Sequence, residues 1–157
     1  MKRYYYIAVA VFFISGFCQA QGTDKIYNTG KVKVESIKDY DWFKKGYSDY
    51  QPDTAVVKGI ENNMGSYSIL VFGGTWCSDT KDLLPKFYKT TDASNISQER
   101  IILYLLNDRK KSTDRMEKKY RVNAVPVFIV LKDGMEIGRI VESVDKSIEE
   151  DLLKLIK

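Results

Sequence analysis

Two apolar runs limit what this chain can fold into. Ile101 to Leu106 is almost uninterrupted hydrocarbon, and Ser68 to Phe72 is a compact apolar stretch broken by Gly73-Gly74. A run like the first, without polar alternation, suits a strand whose sheet is covered on both faces. Between the two, Ser78 to Thr90 reads as a helix with Leu83, Leu84 and Phe87 on its buried side. Strand, helix and strand in succession imply a parallel half of a sheet.

The later segments turn that sheet into a mixed one. Val127 to Leu131 is a strand, Lys132-Asp133-Gly134 is a turn of the Asp-Gly kind found in hairpins, and Glu136 to Val141 is the returning strand. A lysine-rich loop and a short helix ending near Tyr120 precede them. Asp145 to Lys157 closes the chain as a helix with Ile148, Leu152, Leu155 and Ile156 at core-facing spacing. Glu149, Glu150 and Asp151 in its first turn suit the helix dipole and call for no function. Upstream, Pro52-Asp53-Thr54 opens a helix carrying Val56, Val57 and Ile60 inward, ended by Asn62-Asn63 and Gly65. Thr23 to Lys38 alternates around Val32, Val34 and Ile37, which predicts a strand. The aromatic stretch from Asp39 to Gln51 reads as a loop or short helix covering core. The predicted order is β-α-β-α-β-α-β-β-α, a central sheet covered by helices.

The first twenty residues read as an export signal. Lys2 and Arg3 give a positive start, Tyr4 to Phe17 an apolar run, and Cys18-Gln19-Ala20 a cleavage site after Ala20. The expected location is therefore periplasmic or secreted, with membrane contact only if the segment stays uncleaved as an anchor. Lipid attachment at Cys18 is disfavoured by the bulky Phe17 before it. Residues 21–50 form an N-terminal extension and 51–157 the folded domain, since 157 residues suit a single domain. After cleavage Cys77 is the one thiol left.

Composition removes whole classes of function. The chain has no histidine, which excludes Cys–His and Ser–His hydrolytic pairs and the commonest metal ligand. Two cysteines cannot make a four-thiolate zinc site, and neither a metal nor a cofactor is expected. The formal charge is +4, falling to +2 without Lys2 and Arg3, and no aromatic-basic signature appears, so no nucleic-acid partner is expected. Arg109-Lys110-Lys111, bracketed by Asp108 and Asp114, reads as a solvated loop.

Thr75-Trp76-Cys77-Ser78-Asp79-Thr80-Lys81, at the junction of an apolar strand and a helix, resembles the active-site segment of the thioredoxin family. That family's pattern is Trp-Cys-x-x-Cys-Lys with a proline four residues after the lysine; Lys81 and Pro85 stand in those places. A second stretch, Tyr120 to Val127, resembles the approach to the thioredoxin cis-proline, with Phe128 to Ile137 matching the strand, turn and strand beyond. The resemblance implies a thioredoxin-like three-layer α/β fold, with a mixed central sheet flanked by helices, and a cis bond at Val125-Pro126.

It also implies a site. Cys77 would be the nucleophile, Trp76 an apolar wall beside the sulfur, and Val125 with Pro126 an edge that pairs with an extended substrate. Two departures from the family pattern stand out: the second cysteine is Thr80, and the buried acid of the preceding strand falls at Val71. Ordinary dithiol exchange is then out of reach. A thiol at a helix start faces unpaired N–H groups that favour the thiolate, Lys81 adds to this, and Asp79 and Asp82 oppose it. The Thr80 hydroxyl would donate a hydrogen bond to the thiolate.

The expected chemistry is mixed-disulfide formation with a protein or low-molecular-weight thiol or disulfide. The alternative is a catalytically retired binding module for an extended partner, using the Pro126 edge and the Tyr40–Tyr50 aromatics. Peroxide sensing ranks third, because no nearby arginine or histidine activates peroxide.

Overall fold

The computed structural model describes residues 29–157, so the export-signal reading of residues 1–20, with Cys18, lies outside the described residues. Among the described residues five strands form one sheet in the order β1-β3-β2-β4-β5. They are β1 (Gly30–Val32), β2 (Tyr67–Gly73), β3 (Ile101–Leu105), β4 (Val127–Lys132) and β5 (Met135–Val141). Among the described residues six α-helices accompany them: α1 (Glu35–Lys38), α2 (Asp41–Asp49), α3 (Thr54–Asn63), α4 (Ser78–Ala93), α5 (Met116–Lys119) and α6 (Ile148–Leu155).

The two apolar runs pair side by side and parallel, with Val71 opposite Leu103 and Phe72 opposite Tyr104. β4 joins β2 antiparallel, and the β4–β5 hairpin turns through Asp133 and Gly134, both left-handed at φ 51° and 81°. That conformation is what an Asp-Gly turn supplies.

Two expectations are corrected at the N-terminal side. Val34 and Ile37 do not continue a strand: the chain leaves the sheet after Val32 and winds into α1, which buries Ile37. β1 also pairs antiparallel to β3, so among the described strands β2 and β3 are the one parallel pair. The span between β1 and β2 holds three helices in place of a single crossover.

The aromatic stretch folds as α2. Phe43 is 3% exposed and its ring stands 5.9 Å from that of Tyr88 on α4. Gly46 makes this packing feasible, because a Cβ there would sit 2.7 Å from Pro85 Cγ. Pro85, inside α4, therefore nests against the bare backbone of α2.

The two sheet faces are covered unequally. Ile69, Val71, Leu103, Phe128 and Val130 pack one face against α1–α4 and α6. The other face, with Leu70, Phe72, Tyr104 and Ile129, is covered by Val122 and Val125, with Trp76, Cys77, Met116 and Tyr120 packed partly buried against them. β2 thus leads to α4 on the first face and β3 to α5 on the second. A crevice at the carboxyl ends of two such parallel strands is where α/β sheets place their ligands.

Candidate active site

Cys77 occupies the N-cap of α4 with extended dihedrals (φ −86°, ψ 130°). Its N–H donates to the Gly74 carbonyl at 2.9 Å, and its carbonyl accepts the first helical bond, from Lys81 N at 3.1 Å. The turn after β2 thereby sets the sulfur at the mouth of the helix, beside first-turn N–H groups that have no intrahelical acceptor. The side chain is half-buried and free of any disulfide.

The sulfur faces the second motif. Cys77 Sγ donates to the Val125 carbonyl at 3.3 Å, and Val125-Pro126 is a cis peptide. Pro126 is buried, and its carbonyl accepts from Glu142 N at 2.8 Å, which ties the segment to the end of β5. Val125 is 2% exposed, so its backbone, not its side chain, faces the sulfur.

Trp76 lies half-buried next to the sulfur, and its Nε1 donates to the Leu106 carbonyl at 3.0 Å, just past β3. The indole rests on Gly74, where a Cβ would come within 2.5 Å of Nε1. The partner here is a backbone oxygen, for which no side-chain pattern exists, and reading residues alone missed it.

Thr80 is placed differently from the expectation. It is fully buried, and its hydroxyl oxygen accepts from Gly74 N at 3.2 Å. No hydrogen bond joins it to Cys77 among the described residues. Thr80 holds the turn that presents the sulfur, where the sequence suggested a direct donor. Lys81 is half-buried one turn along and enters no ion pair among the described residues, whereas Asp82 pairs with Lys86 at 2.8 Å. Val71 is 0% exposed, so hydrocarbon underlies the site where the family has a carboxylate. Among the described residues no cluster of three metal-ligating side chains exists.

Glu149 stands in the first turn of α6, where the sequence places it, and is 4% exposed. Its carboxylate accepts from Tyr50 Oη at 2.5 Å and from Asp53 N at 3.2 Å. Burial first, then the hydrogen bond to Glu149, hold the Tyr50 phenol well above its ordinary range. This contact clamps α6 onto the entry to α3.

The thioredoxin family model matches residues 55–157. Over 79 residues the chain is 40% identical to a thioredoxin of Echinococcus granulosus, covering 50% of this chain and 68% of that protein. Among solved structures, a protein of unknown function from Pseudomonas aeruginosa superposes with a TM-score of 0.51 at 20% identity, over 73% of this chain and 79% of that one. The Fasciola hepatica thioredoxin gives 0.43 at 23% identity, over 64% and 89%. With a family match over most of its length and the Trp76-Cys77 turn facing a cis-proline, this chain belongs to the thioredoxin family.

Proposed function

We propose that this protein is an exported thiol–disulfide protein that works through Cys77 alone, by forming and releasing mixed disulfides. The observation that carries the reading is one juxtaposition. The half-buried Cys77 sulfur stands at a helix N-terminus, 3.3 Å from the backbone before cis-Pro126, while the position three residues on holds a buried hydroxyl.

The exchange balances without a cofactor. The Cys77 thiolate attacks one sulfur of a client disulfide, the Cys77–client S–S bond forms, and the client's other sulfur leaves as a thiolate that takes up a proton. No net oxidation occurs in that step. Release needs a second thiol from outside, which attacks the client sulfur and returns Cys77 as thiolate. Thr80 oxygen cannot replace that thiol, because an alcohol is far too weak an acid to act as the nucleophile. The Val125 edge supports docking of an extended client by strand addition.

The test is intact-mass analysis after exposure to hydroxyethyl disulfide. One adduct per chain, removed by added thiol and absent in Cys77→Ser, is the expected result. A chain that stays unmodified when folded, yet reacts once denatured, would sink the proposal and leave the binding-module reading. That second reading also requires client capture to survive Cys77→Ser.

A further inference from the structure

Residues 107–121 begin immediately after Leu106, whose carbonyl holds Trp76, and end four residues before Val125, whose carbonyl meets Cys77. Met116 and Tyr120 within the segment pack in the same apolar cluster as Trp76 and Cys77. This stretch is therefore fastened at both ends to the candidate site and forms one flank of it.

Its charge is unlike that of the rest of the chain. It carries seven lysines and arginines against three acids, an excess of +4, which equals the formal excess of the whole protein. All remaining residues together sum to zero. Arg109, Lys111, Arg115, Lys118, Lys119 and Arg121 are exposed. Seven ion pairs form among the described residues, and none uses a basic group of this segment.

The local acids form no ion pair with its bases among the described residues. Glu117 is 2% exposed, and its Oε2 accepts from the Ser112 amide and hydroxyl. Asp114 accepts from Ser112 Oγ at 2.8 Å and Met116 N at 3.4 Å. These carboxylates shape the loop, and Asp108 pairs with nothing among the described residues. Arg109-Lys110-Lys111 is the loop that the sequence implies, with Arg109 and Lys111 exposed, and Asp108 and Asp114, which bracket it, form no ion pair with it among the described residues.

Backbone conformation points the same way. Among the described residues six non-glycine residues are left-handed: Asn95, Lys110, Arg115, Arg121, Asp133 and Glu142. Asn and Asp adopt that region readily, but for long side chains glycine is the residue that fits without strain. Three of the remaining four are basic residues of this flank. Strain of this kind accumulates where a side chain is needed for more than folding.

We infer that residues 107–121 form a docking surface for an acidic polypeptide, selecting clients whose reactive sulfur is flanked by Asp or Glu. The inference rests on the Cys77 reading for its purpose, but the docking itself is independent of the thiol. An extended client paired at Val125 would pass this flank, and unpaired cations there steer anionic partners and discriminate against basic ones.

The test uses a fluorescent, cysteine-free peptide of alternating Asp and Ser, and the same peptide with Asn for Asp, with binding read by anisotropy. The expected result is at least about tenfold tighter binding of the acidic peptide at low salt, with the difference shrinking as salt screens it. Lys110→Gly/Arg115→Gly/Arg121→Gly should abolish the preference without lowering the melting temperature, because glycine relieves the left-handed strain. Lys118→Glu/Lys119→Glu, on exposed positions of α5, should do the same by charge reversal. Equal binding of the two peptides overturns the inference, as does a preference that survives in both folded variants. Capture of phosphatidylserine vesicles with no binding of the acidic peptide would overturn it in favour of a membrane surface. Because no probe carries a thiol, failure here is distinct from failure of the mixed-disulfide reaction.

Discussion

The sulfur of Cys77 and the carbonyl oxygen of Val125 lie 3.3 Å apart across 48 residues of sequence. The thiol is thereby joined to the strand edge on which a client would align. As a thiol the sulfur donates to that oxygen; as a thiolate it has no proton to give, so ionisation frees the carbonyl as well as arming the nucleophile. In the proposed mixed-disulfide reaction, client pairing and sulfur attack would then be linked events.

A serine at position 77 keeps a donor of similar shape. Cys77→Ser is therefore expected to change stability by no more than about 1 kcal/mol, the net worth of one such hydrogen bond. Mixed-disulfide formation should disappear completely. Thermal melting beside the intact-mass assay checks both halves, and a variant that fails to fold would show that the sulfur is chiefly a packing group.

Restoring a second thiol should change the reaction's outcome. Thr80 sits one helical turn from Cys77 and is fully buried, with its hydroxyl on Gly74 N. In Thr80→Cys the new sulfur can attack a Cys77 mixed disulfide, expelling the client thiol and closing an internal disulfide. The expected product after hydroxyethyl disulfide treatment is a chain without the adduct and with no free thiol at either position. A persistent adduct would mean that position 80 is turned too far toward Gly74 to reach the sulfur.

Much of this was legible in the residues, for physical reasons that also mark the limit. The runs at 68–72 and 101–106 announce covered strands because no charged side chain interrupts them and only Ser68 and Tyr104 carry a hydroxyl, and Asp133-Gly134 announces its turn through backbone preference. Pro85 inside a helix follows from the family resemblance, but the gap that receives it at Gly46 lies on another element. The same holds for Glu149. Its first-turn position suits the dipole, and nothing nearby in sequence reveals that Tyr50, 99 residues away, buries and binds it. Val32 and Val34 fit a strand's alternation, but Ile37, three residues beyond Val34, falls on the opposite face of a strand and on the same face of a helix, and it is buried in α1. The role of Thr80 escaped because its partner is a backbone amide in an irregular turn.

Gly46→Ala tests the α2–α4 contact. The added methyl would stand 2.7 Å from Pro85 Cγ and 3.1 Å from its Cβ, and a proline ring cannot rotate away. Alanine is favoured over glycine in a helix by up to about 1 kcal/mol, but such overpacking costs about 1–3 kcal/mol, so the net effect should be destabilising. A lower midpoint in urea denaturation is expected. A higher midpoint would show that the helices shift apart freely.

The clamp on α6 predicts a larger loss. Tyr50→Phe keeps the ring but removes the hydroxyl that reaches the buried Glu149 carboxylate. An under-satisfied buried acid costs about 1–3 kcal/mol, more than the bond itself would contribute. Urea denaturation should register that loss, and Glu149→Gln, which carries no charge to strand, should soften it in the double variant. If Tyr50→Phe is neutral, solvent reaches the carboxylate and the clamp is not closed.

Alkaline stability follows from the tyrosines of the same face. Burial first, then the hydrogen bond to Asp92 and its charge, push Tyr47 up to about 12. An unfolded tyrosine titrates near pH 10. Below about pH 10 the phenol is protonated in both states and its contribution is complete. Between about 10 and 12 the unfolded chain gives up the proton while the folded one retains it, so each step upward in pH favours unfolding. Stability should therefore fall across that window, with Tyr50 and Tyr88, also raised by burial, steepening the decline. In a Cys77→Ser background, which removes the thiol, Tyr47→Phe should make the fall between pH 10 and 12 shallower. Urea midpoints measured across that range would decide it: an unchanged slope would mean that Asp92 does not hold the Tyr47 proton in solution.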